Sequence, residues 1–339
     1  MKKLLPILVT GLLACQAQAQ ERSISLGGFI QTQYSYSSYN GETQKSAFEL
    51  KRARLDVEGN LNGRLSYRLL SEIAISPTVL DASISYRFSS AANIRVGQFK
   101  NPFSLANQLS PLEICSAEYL TPLSNYIGRP GSYSEGYDNG IMLSGSVIPT
   151  SQGYDLMSYS IALMNGGPIN SRNDDNTDKN MTGRIDIRPL TEELTVSVSA
   201  LKGTYSNASN GGSRYSGLER MGGGLMFNDS KLVFLSEFFI ADTENWNGIE
   251  SVEVKSNAWY CQANYWFPVG KNGRISPVLV YDYIDKNVNQ SRDEQSNLVL
   301  GAECWPVSNF RLLANYRMTT DSSLTRYQHG FYAQAAVVF

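Results

Sequence analysis

Histidine is all but missing from this chain: His329 is the only one among 339 residues. Imidazole-based catalysis and zinc binding through histidines therefore have almost nothing to work with. Cysteine is scarce as well, four in all. Cys15 falls in the leader, just past its apolar run. Cys115, Cys261 and Cys304 are scattered, odd in number and without C-x-x-C spacing, so neither a disulfide framework nor a zinc site follows. Long apolar runs are missing: past Ala14 nothing approaches the roughly 20 residues of a membrane-spanning helix. Linkers and internal repeats are missing, which leaves one domain from residue 20 to 339. A basic excess is missing too. Of 29 basic residues, Lys2 and Lys3 fall in the leader, leaving 27 against 31 acidic ones and a net charge of −4. Nucleic acid is not an expected partner.

What is present begins with Lys2 and Lys3, the apolar run Leu4–Ala14, and Ala17-Gln18-Ala19. A basic start, a short greasy centre and an A-x-A site make residues 1–19 a signal peptide cleaved after Ala19. Leu12-Leu13-Ala14-Cys15 offers a competing reading, a lipoprotein box with Cys15 acylated. From Gln20 onward the period is two. Phe310, Leu312, Ala314, Tyr316 and Met318 alternate with Arg311, Leu313, Asn315 and Arg317; Leu80, Ala82, Ile84, Tyr86 and Phe88 alternate with Asp81, Ser83, Ser85 and Arg87. Half-apolar strands suit a two-sheet sandwich or a membrane barrel.

Two features favour the barrel. The polar face carries many charges, and the connections alternate in length. Short ones centre on Asn60–Gly63, Ser89–Asn93, Pro149–Gly153, Pro189–Glu193, Asn228–Lys231, Pro268–Gly273 and Pro306–Asn309. Between them lie longer ones, with only Ser76–Thr78 brief among them. This predicts an all-β transmembrane antiparallel barrel of about 16 strands, with both termini on the short-turn side. The last strand ends on Phe339, and an aromatic C-terminus resembles the signal by which the barrel assembly machinery recognises outer-membrane barrels. The twenty tyrosines suit a chain with bilayer interfaces. The longest insertion, Lys100–Gly136, contains Pro102, Pro111, Pro122 and Pro130 and cannot be a ladder strand throughout. It is expected to fold inward as a constriction loop, with an external flap as the alternative.

Specific residues carry a family resemblance. Val79–Phe88 followed by Ile94-Arg95-Val96-Gly97-Gln98-Phe99-Lys100-Asn101-Pro102-Phe103 resembles the phosphate-selective porin O/P family. So do Lys51-Arg52-Ala53-Arg54-Leu55 and Asn165-Gly166-Gly167 with Asp174, Asn176, Lys179 and Gly183-Arg184 downstream. The resemblance implies a sixteen-stranded outer-membrane porin, usually a homotrimer. It implies diffusion of small anions past a basic lumen, with the third long loop as the constriction. Carried over by position, the anion path is Arg52, Arg54, Arg95, Lys100 and Arg184, with Arg129 as the loop's own arginine. Paired guanidinium donors suit phosphate oxygens.

The acids temper this. Asp56 and Glu58 share a face with Arg52 and Arg54 and could brace them. By strand phase the lumen has eleven arginines against eight carboxylates, and Glu113, Glu118 and Glu135 sit in the insertion. The expectation is a general porin for small hydrophilic solutes with mild anion bias, phosphate among them. A surface adhesin working through long loops, or a secreted β-sandwich, are the alternatives. No enzyme, metal or cofactor is expected. Asp174–Asp178 misses EF-hand spacing, with Lys179 where the turn glycine belongs and Ile185 where the bidentate glutamate belongs. Gly222–Gly224 follows no strand-to-helix pattern, and His329 falls on the lipid phase. Asn315 falls on the other phase, inside, where arginine should be tolerated.

Overall fold

The computed structural model describes residues 23–38, 44–74, 76–130, 134–174, 176–206, 215–246, 251–323 and 327–339. The expected signal peptide, Cys15 included, lies outside them. The strand segments are β1 (Ser23–Ser38), β2 (Lys45–Asn60), β3 (Leu65–Glu72), β4 (Thr78–Ser89), β5 (Ala92–Lys100), β6 (Tyr137–Pro149), β7 (Asp155–Met164), β8 (Asn180–Ile187), β9 (Leu194–Ser206), β10 (Tyr215–Asn228), β11 (Leu232–Trp246), β12 (Ser251–Tyr265), β13 (Phe267–Val269), β14 (Gly273–Asp285), β15 (Glu294–Val307), β16 (Phe310–Asp321) and β17 (Gln328–Val338). β12 and β13 both pair with β14 and form one wall strand interrupted at Trp266. The wall is thus a sixteen-strand antiparallel sheet, closed where β1 pairs with both β2 and β17. Every strand edge finds a partner, as a bilayer requires.

Alternation decides which side chain goes where. On β16 Leu312 and Tyr316 are about two-fifths exposed on the outside, while Arg311, Leu313 and Asn315 are no more than 2% exposed inside. Val196 and Val198 point out from β9, and Thr195, Ser197 and Ser199 point in. His329 is on the outside, its Nδ1 within 2.6 Å of the Tyr316 hydroxyl. One alternation slips. Leu70 lies opposite Asp81 but Ser71 opposite Val79, so Leu80 is a bulge residue. It turns inward, not outward as its phase suggests, and packs with Leu70 and Tyr137.

The barrel closes at its C-terminus. The Gly28 and Phe339 backbones exchange N–H···O bonds of 3.0 Å each. Gly28 is required there, because a Cβ would stand 2.1 Å from the Arg54 carbonyl oxygen. The tight turns gather on one rim and are fixed by local polar caps. Asp229 accepts the Leu232 and Lys231 amides at 2.6 Å each. These two bonds hold its carboxyl below the ordinary aspartate value. The opposite rim carries the longer connections, and the described part of the longest of them, residues 101–130 and 134–136, lies inside the barrel.

Candidate functional site in the barrel lumen

Residues 101–136 contain a 3-10 turn, Ala106–Gln108, and one short helix, α1 (Thr121–Tyr126), with proline in its first turn. The segment first crosses to β11. There Glu237 accepts the Leu105 amide at 2.7 Å, the Ala106 amide at 3.1 Å, the Ser104 hydroxyl at 2.7 Å and the Tyr260 hydroxyl at 2.6 Å. Four donors satisfy a carboxylate with no ion-pair partner among the described residues. Ser104 takes φ 73° to reach it, a conformation costly for a residue with a Cβ. The chain then passes the β12 and β16 walls. Gln262 accepts the Cys115 amide, Arg311 donates to the Ile114 carbonyl and Asn315 accepts the Ala117 amide at 2.7 Å. Gln334 on β17 holds the Ala117 carbonyl. After α1, Arg220 of β10 donates to the Tyr126 and Gly128 carbonyls.

Apolar packing seals this half. Phe103, Leu105, Ile114, Leu120, Leu123, Tyr126 and Ile127 of the segment meet Leu218, Leu235, Phe239, Tyr260, Val280 and Leu313 of the β10–β16 wall in one buried cluster. Tyr126 stacks on Phe239 at 5.5 Å. Burying a large apolar side chain contributes about 1.5–3 kcal/mol, so this cluster rather than any one hydrogen bond holds the segment to the wall.

The other half stays open and charged. A cavity of about 570 Å³ runs along β1–β5, lined by four basic residues, Arg54, Arg68, Arg95 and Lys100, and three acidic ones, Asp56, Glu58 and Asp81. A second opening at the tight-turn rim shares Ser25, Glu58, Arg68 and Arg95 with it. Most of these charges are paired. Arg54 reaches Glu72 at 3.1 Å and Glu135 at 2.7 Å; Arg95 reaches Asp81 at 2.5 Å; Arg68 reaches Asp56 at 2.5 Å and Glu58 at 3.2 Å. Lys100 donates to the Asn107 and Leu109 carbonyls.

Set against the sequence reading, Arg52, Arg54, Arg95 and Lys100 all stand on the β1–β5 side. Arg52 donates to Gln31 and has no carboxylate partner among the described residues. Asp56 and Glu58 brace Arg68 rather than Arg52 and Arg54. Arg184 lies across the lumen, bound to Asp186 and the Ser104 carbonyl. Arg129 donates to the Ser206 carbonyl at the long-loop end. The insertion's acids do not cluster. Glu113 accepts the Ser110 amide, Glu118 pairs with Lys51 at 2.8 Å, and Glu135 pairs with Arg54. Asn315, expected to tolerate arginine, is buried under the segment. Inward does not mean open.

Sequence reasoning missed the Glu237 clamp and Arg220. One glutamate inside the apolar stretch Leu232–Ile240 was a usable signal for the first. Arg220 sits on a face with Leu218, and an apolar lumen position hides the phase.

Burial pushes the Glu135 carboxyl up, but Arg54, Arg52 and Lys100 outweigh it and hold it below the ordinary glutamate value. The strap to Arg54 is therefore fully present above the unfolded value of about 4.3. It is lost as pH falls through the lower folded value. Acidification should increase current noise in single-channel records, and Glu135→Gln should abolish that response. Noise unchanged on acidification of the native protein would refute the strap.

No group of three or more His, Cys, Asp and Glu among the described residues is arranged to hold a metal. A closed sixteen-strand barrel, apolar outside, charged along an open inner wall and crossed by its own long loop, defines an outer-membrane channel. The family model for phosphate-selective porin O and P matches residues 24–219, and the chain belongs to this family. No curated protein matches it. Among solved structures, an anion-selective porin from Comamonas acidovorans is similar at TM-score 0.71 and 14% identity, over 94% of this chain and 100% of that one. The outer-membrane channel DcaP of Acinetobacter baumannii gives TM-score 0.64 and 12% identity, over 94% and 97%. The trimer form of Vibrio cholerae OmpT gives 0.63 and 11%, over 94% and 99%.

Proposed function

We infer that this barrel passes small hydrophilic solutes by diffusion along the β1–β5 wall, with a mild preference for anions. The observation that carries this is the four-to-three basic excess lining the cavity there. Low-dielectric walls focus that local field, so it outweighs the chain's net negative charge. Phosphate selectivity in the strict sense would need guanidinium forks free to take oxygens. Arg54, Arg68, Arg95 and Arg184 fork onto carboxylates or carbonyls instead, which favours a general anion-biased pore in which phosphate is one permeant among several. The loop 101–136 acts as the constriction, and Arg52, Arg95 and Lys100 set its potential from the wall.

The test is the reversal potential in a salt gradient across a planar bilayer. The native channel should prefer anions modestly, with phosphate blocking little. Arg95→Gln with Lys100→Gln should shift the potential toward cations. The shift should grow at low salt, since screening reaches only about 10 Å at 0.1 M. Glu113→Gln with Glu118→Gln should strengthen anion preference. An unchanged potential would leave a non-selective pore, and a silent barrel would shift the reading to a surface-attachment protein.

The mature protein is a homotrimer of chains that begin at Gln20 after signal-peptide cleavage, in keeping with the trimer form recorded for the Vibrio cholerae relative. Phe339 serves as the assembly signal. Intact-mass measurement of the purified protein checks the first two points: three chains starting at Gln20 are expected, and an acylated Cys15 would overturn the cleavage site.

A further inference from the structure

The outer wall carries a feature that solute passage does not use. Strand register fixes the outward residues of β7–β11 in rows. One row is Ile161, Gly183, Ala200, Met221 and Ile240. The next row toward the long-loop rim is Met181, Lys202, Glu219, Asp242 and Lys255. Gly183 and Ala200 have almost no side chain, so the wall is hollowed between the larger Ile161 and Met181 on one side and Met221 and Ile240 on the other. The result is a trough of about 500 Å³, mostly apolar, with Lys202, Glu219 and Asp242 along one edge.

The charged row marks a boundary. Below it the outward residues Ile185, Val198 and Phe238 continue the apolar band. A charge inside that band would be costly, so the row stands at headgroup level in the leaflet on the long-loop side. Lys202 pairs with Glu219 at 2.5 Å and Lys255 with Glu253 at 3.3 Å. The Asp242 carboxylate has no hydrogen bond or ion pair among the described residues. It faces its register partner Glu219, another carboxylate, and like charges directly opposite repel.

We propose that this trough seats one phosphorylated glycolipid of the outer leaflet, an acyl chain lying over Gly183 and Ala200 and the phosphate held at Lys202. A divalent cation joins that phosphate to Glu219 and Asp242. Charge complementarity selects this occupant. A bare phosphate would be repelled by the two carboxylates, and an ammonium headgroup would bring Lys202 no anion. A phosphate carrying a divalent cation satisfies both, with carboxylate oxygens as ligands of the kind such hard cations take.

The experiment is native mass spectrometry of the detergent-purified full-length protein titrated with lipid A in the presence of magnesium, with phosphatidylglycerol as the competing probe. One lipid A should be retained per barrel. Ala200→Phe, which fills the trough, and Glu219→Gln with Asp242→Asn should each weaken it about tenfold or more, a loss of about 1.4 kcal/mol or above. EDTA should do the same to the native protein, and Ala335→Phe on the far wall should change nothing. Heat-dependent gel mobility confirms that each variant is folded. Retention indifferent to Ala200→Phe, to the carboxamide pair or to EDTA overturns the proposal, as does equal displacement by phosphatidylglycerol.

Discussion

Glu237→Leu should give a folded barrel with a markedly larger and noisier single-channel conductance. Among the described residues the carboxylate is the sole acceptor for the Leu105 and Ala106 amides, and it also takes the Ser104 and Tyr260 hydroxyls. Hydrogen bonds to a charged group are worth about 1.5–3 kcal/mol each, and leucine removes all four acceptor contacts at once. Ser104, already at positive φ, then loses its hydroxyl's acceptor and keeps only its bonds to Arg184, Ser199 and Asn107. Glu237→Gln keeps one acceptor oxygen and should fall between leucine and the native protein. Planar-bilayer recordings supply the readout, with limited proteolysis of residues 101–136 as a second measure. Native conductance in the leucine variant would show that apolar packing alone holds the segment.

The second large effect is expected on β16, where two adjacent arginine substitutions should fail differently. Ala314→Arg puts a charge on the lipid face between Leu312 and Tyr316, at a cost of about 2–4 kcal/mol near the bilayer midplane. Lower resistance to urea unfolding in vesicles should result. Asn315→Arg points inward but meets the segment, because Asn315 accepts the Ala117 amide and is 1% exposed. Overpacking of that kind costs about 1–3 kcal/mol. Its expected signature is altered conductance with the barrel's urea resistance nearly kept. Equal unfolding profiles for the two variants would contradict the assignment of faces.

The contrast between these neighbours shows what a linear sequence can carry. Period-two alternation, tight turns on one rim, long connections on the other and the terminal Phe339 were enough for a closed barrel of sixteen strands. Alternation tells which side of the wall a residue occupies. It says nothing of what stands opposite on the inside. Whether Asn315 faces water or the Ala117 amide depends on a contact made 198 residues away. The same limit explains the arginines. Their lumen positions were legible, but the partners of Arg54 come from β3 and from the end of the inserted segment, and no spacing rule links those. One trace was available. Val278, Val280 and Ile284 point inward from β14 while Leu279 and Tyr281 point outward. A strand apolar on both faces signals a covered inner wall.

The reach of the inserted segment also dictates an order of assembly. Its chain leaves β5 early, yet Ala117 is held by Gln334 on the last strand, and Glu118 by Lys51 on the second. Those two anchors come together only once β17 has joined β1. Closing so long a stretch of chain costs entropy that weak contacts cannot offset before the wall exists. The barrel's final width is therefore set last: the segment can lie against β10–β16 earlier, but it is pinned between β17 and β2 only after closure.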